Sequence, residues 1–184
     1  MARTHAHGPE LDRRTRTRLA ARAVTALAAL AAAFLAACDD RVADRGTYVA
    51  TIAGQRFSLT VSSSDATRQR GLGGVADIPA DGGMIFVFPD CRMRGFWMKD
   101  CVTDMDIVYL DALGYVTATH TMRMEPPRRP GEDPLAYEAR LPRYSSVMPS
   151  QFVIELRKGR VAELGLGTQQ KIELDREALT AAAR

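Results

Sequence analysis

Cysteine is scarce in this chain, with three among 184 residues, at Cys38, Cys91 and Cys101. So few exclude a disulfide-dense mini-protein and a four-cysteine zinc site. None of them forms C-x-x-C, the spacing of a thiol oxidoreductase. There is no G-x-S-x-G and no Ser-His-Asp order, so a hydrolase is not supported. No internal repeat is visible, and the net charge is only +3. With 46% hydrophobic and 26% charged residues, the composition is that of an ordinary globular protein, not of a disordered or collagen-like chain. The length suits one domain and leaves little room for two cores.

Where the positive charge lies matters more than its sum. Arg3, Arg13, Arg14, Arg16, Arg18 and Arg22 precede Cys38, against only Glu10 and Asp12. Ala23 to Ala37 then carries no charge and falls short of the roughly 20 residues a spanning helix needs. A basic segment, an apolar run and small residues in that order predict an export signal over 1–37. The run ends in Leu35-Ala36-Ala37-Cys38, which resembles the bacterial lipobox. That resemblance implies cleavage before Cys38, acylation of its thiol and anchoring to a lipid bilayer. Asp39 resembles the signal for retention on the inner membrane, so the expected location is the periplasmic face of that membrane in the cell envelope. Taking six from 25 Lys+Arg and two from 22 Asp+Glu leaves 19 against 20 in the mature chain. A nucleic-acid partner then loses its electrostatic footing.

Residues 38–46 read as a polar tether, 47–174 as the folded domain and 175–184 as a C-terminal tail with little to bury. TYVATIA and RFSLTVS alternate around Gly54-Gln55 and predict a β-hairpin. Short helices are expected after Ser62–Asp65 and over 159–165, and strands over 84–88, 95–99, 105–110, 115–123, 151–156 and 171–174. Six prolines between Glu125 and Pro149 predict a long surface loop, a solvated insertion, a partner-recognition segment or a lid. The fold class is therefore α+β and mainly antiparallel β, a compact single domain with two short helices and room for barrel-like closure.

Arg70-Gly71-Leu72, Met84-Ile85-Phe86-Val87-Phe88, Phe96-Trp97-Met98-Lys99 and Asp106-Ile107-Val108-Tyr109-Leu110-Asp111 stand in a characteristic order. Together with the later GRVAELGL they resemble the bacterial and archaeal domain-of-unknown-function family 192, over about residues 56–174. The resemblance implies a fold and an envelope location rather than an activity. Gly73 and Val75 depart from that family's pattern, as do Asp100-Cys101 and Gln169-Gln170.

Arg70, Trp97, Lys99 and Asp106 are the sharpest ligand-binding candidates, because a cation and an aromatic on one strand face can hold a carboxylate or sugar-like ligand. The same four residues also suit plain packing and ion pairing. Cys91 and Cys101 form a disulfide only if turns at Pro89-Asp90 and Lys99-Asp100 fold them together; otherwise they are two buried free thiols. His120, Met122 and Met124 offer an imidazole and thioethers suited to Cu(I), or are simply core filling. No cofactor is expected. The sequence thus predicts a membrane-anchored envelope lipoprotein with a small binding or scaffolding domain, its partners an envelope protein or a small ligand. Two alternatives stay open: a small-ligand protein or enzyme, and a periplasmic Cu(I)-binding protein.

Overall fold

A computed structural model describes residues 42–183. The expected export segment, Cys38 and the start of the tether lie outside the described residues. Strands β1 (Thr47–Ile52) and β2 (Gln55–Ser62) pair antiparallel across Ala53-Gly54. Both turn residues have positive φ, 48° and 78°, as a type I′ hairpin turn requires. Alternation then puts Ala50, Ile52, Phe57, Leu59 and Val61 into one core cluster.

Helix α1 (Asp65–Arg70) begins at a capping box in which Ser64 and Thr67 satisfy each other's amides. It carries the chain over to β3 (Gly82–Arg92), which lies parallel to β2. The remaining elements are β4 (Gly95–Phe96), β5 (Met105–Leu110), β6 (Val116–Met122), α2 (Pro134–Arg140), β7 (Tyr144–Ser145), β8 (Ser150–Arg157), α3 (Arg160–Glu163) and α4 (Arg176–Ala182). Six strands form one sheet in the order β1-β2-β3-β8-β5-β6, and all pairings except β2 with β3 are antiparallel. β4 and β7 make a separate two-stranded ladder.

The fold is thus α+β and mainly antiparallel, and the sheet is open rather than barrel-like, with β1 and β6 as its edges. The central strand β8 is buried on both faces from Phe152 to Leu156. Phe152, Ile154 and Leu156 pack under α3 and α4, and Val153 joins Phe86, Ile107 and Tyr109 in a second cluster on the opposite face. Gly83 permits the central contact: its φ is 149°, and a Cβ there would meet the Glu155 carbonyl at 2.2 Å.

Three expectations are corrected. Four short helices form among the described residues instead of two, because the proline-rich segment contains α2. Asp133 caps that helix, and Pro134 sits where a missing amide costs nothing. Buried Tyr137 docks it, so the segment is not merely solvated. Residues 171–174 make only the bridge between Tyr115 and Lys171. The tail forms α4, which buries Leu179 completely in the first cluster.

Asp44 ties the entry of β1 to the cap of α1, accepting from the Ser63 amide at 2.8 Å, the Ser64 hydroxyl at 2.9 Å and the Thr67 hydroxyl at 2.8 Å. Burial raises its pKa, but these bonds outweigh that and hold the carboxyl down at about 2. A depressed carboxyl stabilises the fold above its ordinary pKa of 3.8, and that contribution is lost as pH falls toward 2. Asp44 is exposed, so screening limits its worth to about 1 kcal/mol. Asp44→Ala should lower the urea midpoint at pH 7 and leave it nearly unchanged at pH 2. An equal loss at both pH values would refute this role.

Candidate functional site

Glu155 is the one charged residue in the buried stretch Phe152–Leu156 of β8. It stands opposite Met84 on β3 and Ile107 on β5, at the middle of the sheet. Only 4% of the residue is exposed, and its Oε2 has no hydrogen-bond partner among the described residues. Burial pushes this carboxyl up to about 8, because the apolar surroundings penalise the charged form. At neutral pH Glu155 is therefore mostly a protonated acid, with a donor as well as acceptors.

A cleft of about 310 Å³ opens above this side chain. That volume is at the lower end of the range for small-molecule sites. One wall is aromatic: Phe96 meets Phe86 edge-on at 4.9 Å and Tyr109 at 5.7 Å. On another side α1 ends and the chain passes over the glutamate at Gly71. The φ of 50° and ψ of −137° there belong to glycine, and a Cβ would sit 3.7 Å from Glu155 Oε2. Leu72, next along, is buried in the second cluster and anchors this corner.

Cations surround the opening. The Arg143 guanidinium stacks on Trp97 at 3.6 Å from the ring centre, and Lys99 Nζ lies 5.7 Å from the same ring. Lys99 is bound to Glu138 of α2 at 2.5 Å, and that hydrogen bond is the main reason its pKa is raised. Arg68 donates to the carbonyls of Ser63 at 2.6 Å and Val87 at 2.8 Å and pairs with Asp65. Arg70 and Arg143 also line the cleft, and neither forms a salt bridge among the described residues.

A model of domain-of-unknown-function family 192, described as "Uncharacterized ACR", matches residues 48–174. The chain belongs to this family. Two solved structures resemble the family-192 domain. One, a protein of unknown function from Novosphingobium aromaticivorans DSM 12444, is 21% identical with a TM-score of 0.54, over 70% of this chain and 84% of that one. The other, from Sinorhizobium meliloti 1021 and described as a candidate transcription regulator, is 25% identical with a TM-score of 0.52, over 69% and 90%. Comparison with curated proteins finds no match.

Of the four ligand candidates, the family-192 domain brings Arg70, Trp97 and Lys99 to the cleft, although Trp97 and Lys99 follow the two-residue β4 rather than lying on a strand. Asp106 is elsewhere. It points to the other face, where Oδ1 accepts from Thr121 at 2.8 Å and Oδ2 from the Val161 amide at 2.9 Å. It thereby caps α3, whose own N-cap, Gly159, has no side chain to do so. Glu155 takes the place in the cleft that was expected for Asp106. The available signal was a single acid inside an otherwise apolar strand.

Cys91 and Cys101 are free thiols. β3 runs on through Pro89 and Asp90 to Arg92, so the first turn a disulfide needed is absent. Cys91 is exposed, whereas Cys101 lines the cleft with its thiol pushed up to about 12, chiefly by burial. It stays a thiol and is no nucleophile at neutral pH. His120, Met122 and Met124 occupy three different environments. His120 Nε2 lies 2.7 Å from the Ser145 carbonyl, Met122 is sealed in the second cluster, and Met124 is exposed beyond the end of β6. No cluster of three or more His, Cys, Asp or Glu suited to a metal occurs among the described residues.

Glu155 makes stability depend on pH. Its unfolded carboxyl titrates near 4.5 and its folded one near 8. The folded state therefore holds the extra proton between these values, and stability falls as pH rises through that window. The full difference amounts to roughly 4–5 kcal/mol. Glu155→Gln should remove this decline and be the more stable form at pH 9. Parallel urea-derived stabilities for both proteins from pH 5 to pH 9 would refute the assignment.

Proposed function

We propose that the chain is an exported envelope lipoprotein, anchored through acylated Cys38, whose family-192 domain binds a small ligand in the cleft over Glu155. One observation carries the binding reading: a buried acid, unpartnered at Oε2 among the described residues, faces a cleft rimmed by Arg70, Lys99 and Arg143. Buried polar groups are normally satisfied, and one that faces a cavity is poised for a partner from outside. A scaffold would instead lock these side chains into separate ion pairs. Among the described residues, only Lys99 of the three is so engaged.

The anchoring reading is supported by the charged, apolar and small-residue order that ends at Cys38. No helix among the described residues is long and apolar enough to cross a membrane. The regulator description of the Sinorhizobium protein gains no support from a mature charge of 19 against 20. Copper binding is not favoured, since the three candidate donors have separate surroundings.

The Cys38→Ala chain expressed in a bacterial host should leave the membrane fraction and lose label from a radioactive fatty acid. Unchanged fractionation and labelling would end the lipoprotein reading. The binding reading rests on the cleft, so it can be tested on either form.

A further inference from the structure

The cleft has a chemical polarity that narrows its ligand, granted that it binds one as proposed above. Its walls are largely aromatic, with Phe86 buried and Phe88, Phe96 and Trp97 half-buried along the lining. Its free charges are positive. Lys99 and Arg68 are committed to Glu138 and Asp65, and Arg70 and Arg143 remain without a counter-ion among the described residues. Among the described residues the acid at the floor receives no donor at Oε2 and forms no salt bridge.

The geometry points to a small monoanionic organic acid with an apolar or aryl body, its acidic group attracted by Arg70 and Arg143 and one oxygen accepting a hydrogen bond from the Glu155 carboxyl. Two guanidiniums without partners favour an anion, and planar guanidinium matches a carboxylate. The aromatic wall provides apolar area for a ring of similar size. A carboxyl that carries its proton can donate to an acidic oxygen, whereas an ionised one would repel it. A basic ligand would have to pass two unpaired guanidiniums to reach the floor.

The groups facing Glu155 are consistent with a proton, rather than an ion pair, neutralising it. β3 presents Phe86 and β5 presents Tyr109, whose hydroxyl donates to the Tyr144 carbonyl at 2.7 Å and whose pKa is raised by burial. The β4–β5 loop presents the Cys101 thiol, also held neutral, with Asp100 exposed beyond it. α1 contributes Arg70 and the Arg68–Asp65 pair at the rim. Lys99 and Arg143 complete the rim. Among the described residues Asp65 is the only other acid in the cleft lining, and its side chain is 88% exposed. Ligand binding is therefore linked to one proton on Glu155.

The test uses benzoate, benzyl alcohol and benzylamine as probes of equal size and different charge. Trp97 is the single tryptophan of the chain, so its indole N–H resonance reports binding at this wall alone. In the full-length chain in detergent, benzoate should shift that resonance. Its affinity should weaken about tenfold from pH 7 to pH 9, as a group titrating near 8 loses its proton. Glu155→Gln, which keeps an N–H donor, should still bind benzoate but without that pH dependence. Arg143→Ala and Arg70→Ala should each weaken benzoate severalfold and leave benzyl alcohol unchanged. A shift by benzylamine that strengthens with pH would overturn the acid class and leave the binding reading standing. So would a shift by benzyl alcohol alone. No shift by any probe would overturn both. Benzoate binding to the native chain that is constant from pH 7 to pH 9 would remove Glu155 from the site.

Discussion

A carboxyl held out of water at the centre of a six-stranded sheet is the constraint on which the rest of this site depends. Leaving a buried polar atom without a partner costs about 1–3 kcal/mol. Each large apolar side chain buried around it contributes about 1.5–3 kcal/mol. The cluster on that face contains ten buried residues, from Leu72 to Val153, so packing outweighs the acid easily. The glutamate is tolerated because the strands on either side of it, with Met84 and Ile107 opposite, remain paired and packed. Gly83 and Gly71 complete the arrangement by letting backbone pass where a side chain would collide or be strained.

Two acids at almost equal burial behave differently, and the contrast explains which of them belongs to a site. Asp106 is 1% exposed and Glu155 is 4% exposed, on adjacent strands. Both oxygens of Asp106 accept hydrogen bonds from elements of its own fold, a β6 hydroxyl and an α3 amide. Its bonding is used up in joining the sheet to α3. Oε2 of Glu155 has nothing comparable among the described residues, and a cavity lies where a partner would be. Burial alone does not separate architecture from function. The presence or absence of a partner does.

The hairpin, the apolar strands and the first helix were readable because each has a local cause: alternation, turn residues or a cap. Helix α2 was not, because proline count suggested loop, yet Pro134 stands at the helix start where it does no harm. The burial of Leu179 could not be read either, since it depends on a groove made by distant strands. Three of the four ligand candidates reached one cleft because they border motifs that pack against β3. Asp106 does not join them, because period-two alternation says which residues of one strand share a face but not which face of the sheet that is. Deciding that needs the order of strands across the sheet, and β8, 45 residues or so further along, is what separates β3 from β5.

The rim cations remain apart from the buried acid for reasons that lie in the geometry rather than in bond strength. Lys99 is the nearest to an obvious partner, but its half-exposed pair with Glu138 is worth well under a strong bond. What keeps it on the outside is the docking of α2, where Tyr137 is buried and accepts from the Asp100 amide at 3.1 Å. Arg68 is fixed by two backbone carbonyls, and Arg143 by the face of Trp97. Lys99, Arg68 and Arg143 are thus each retained by a neighbouring element, and the acid below is left to be neutralised by a proton. The proline-rich segment therefore belongs to the site: by holding Lys99 outward it preserves the separation of charge that gives the cleft a neutral floor and a positive mouth.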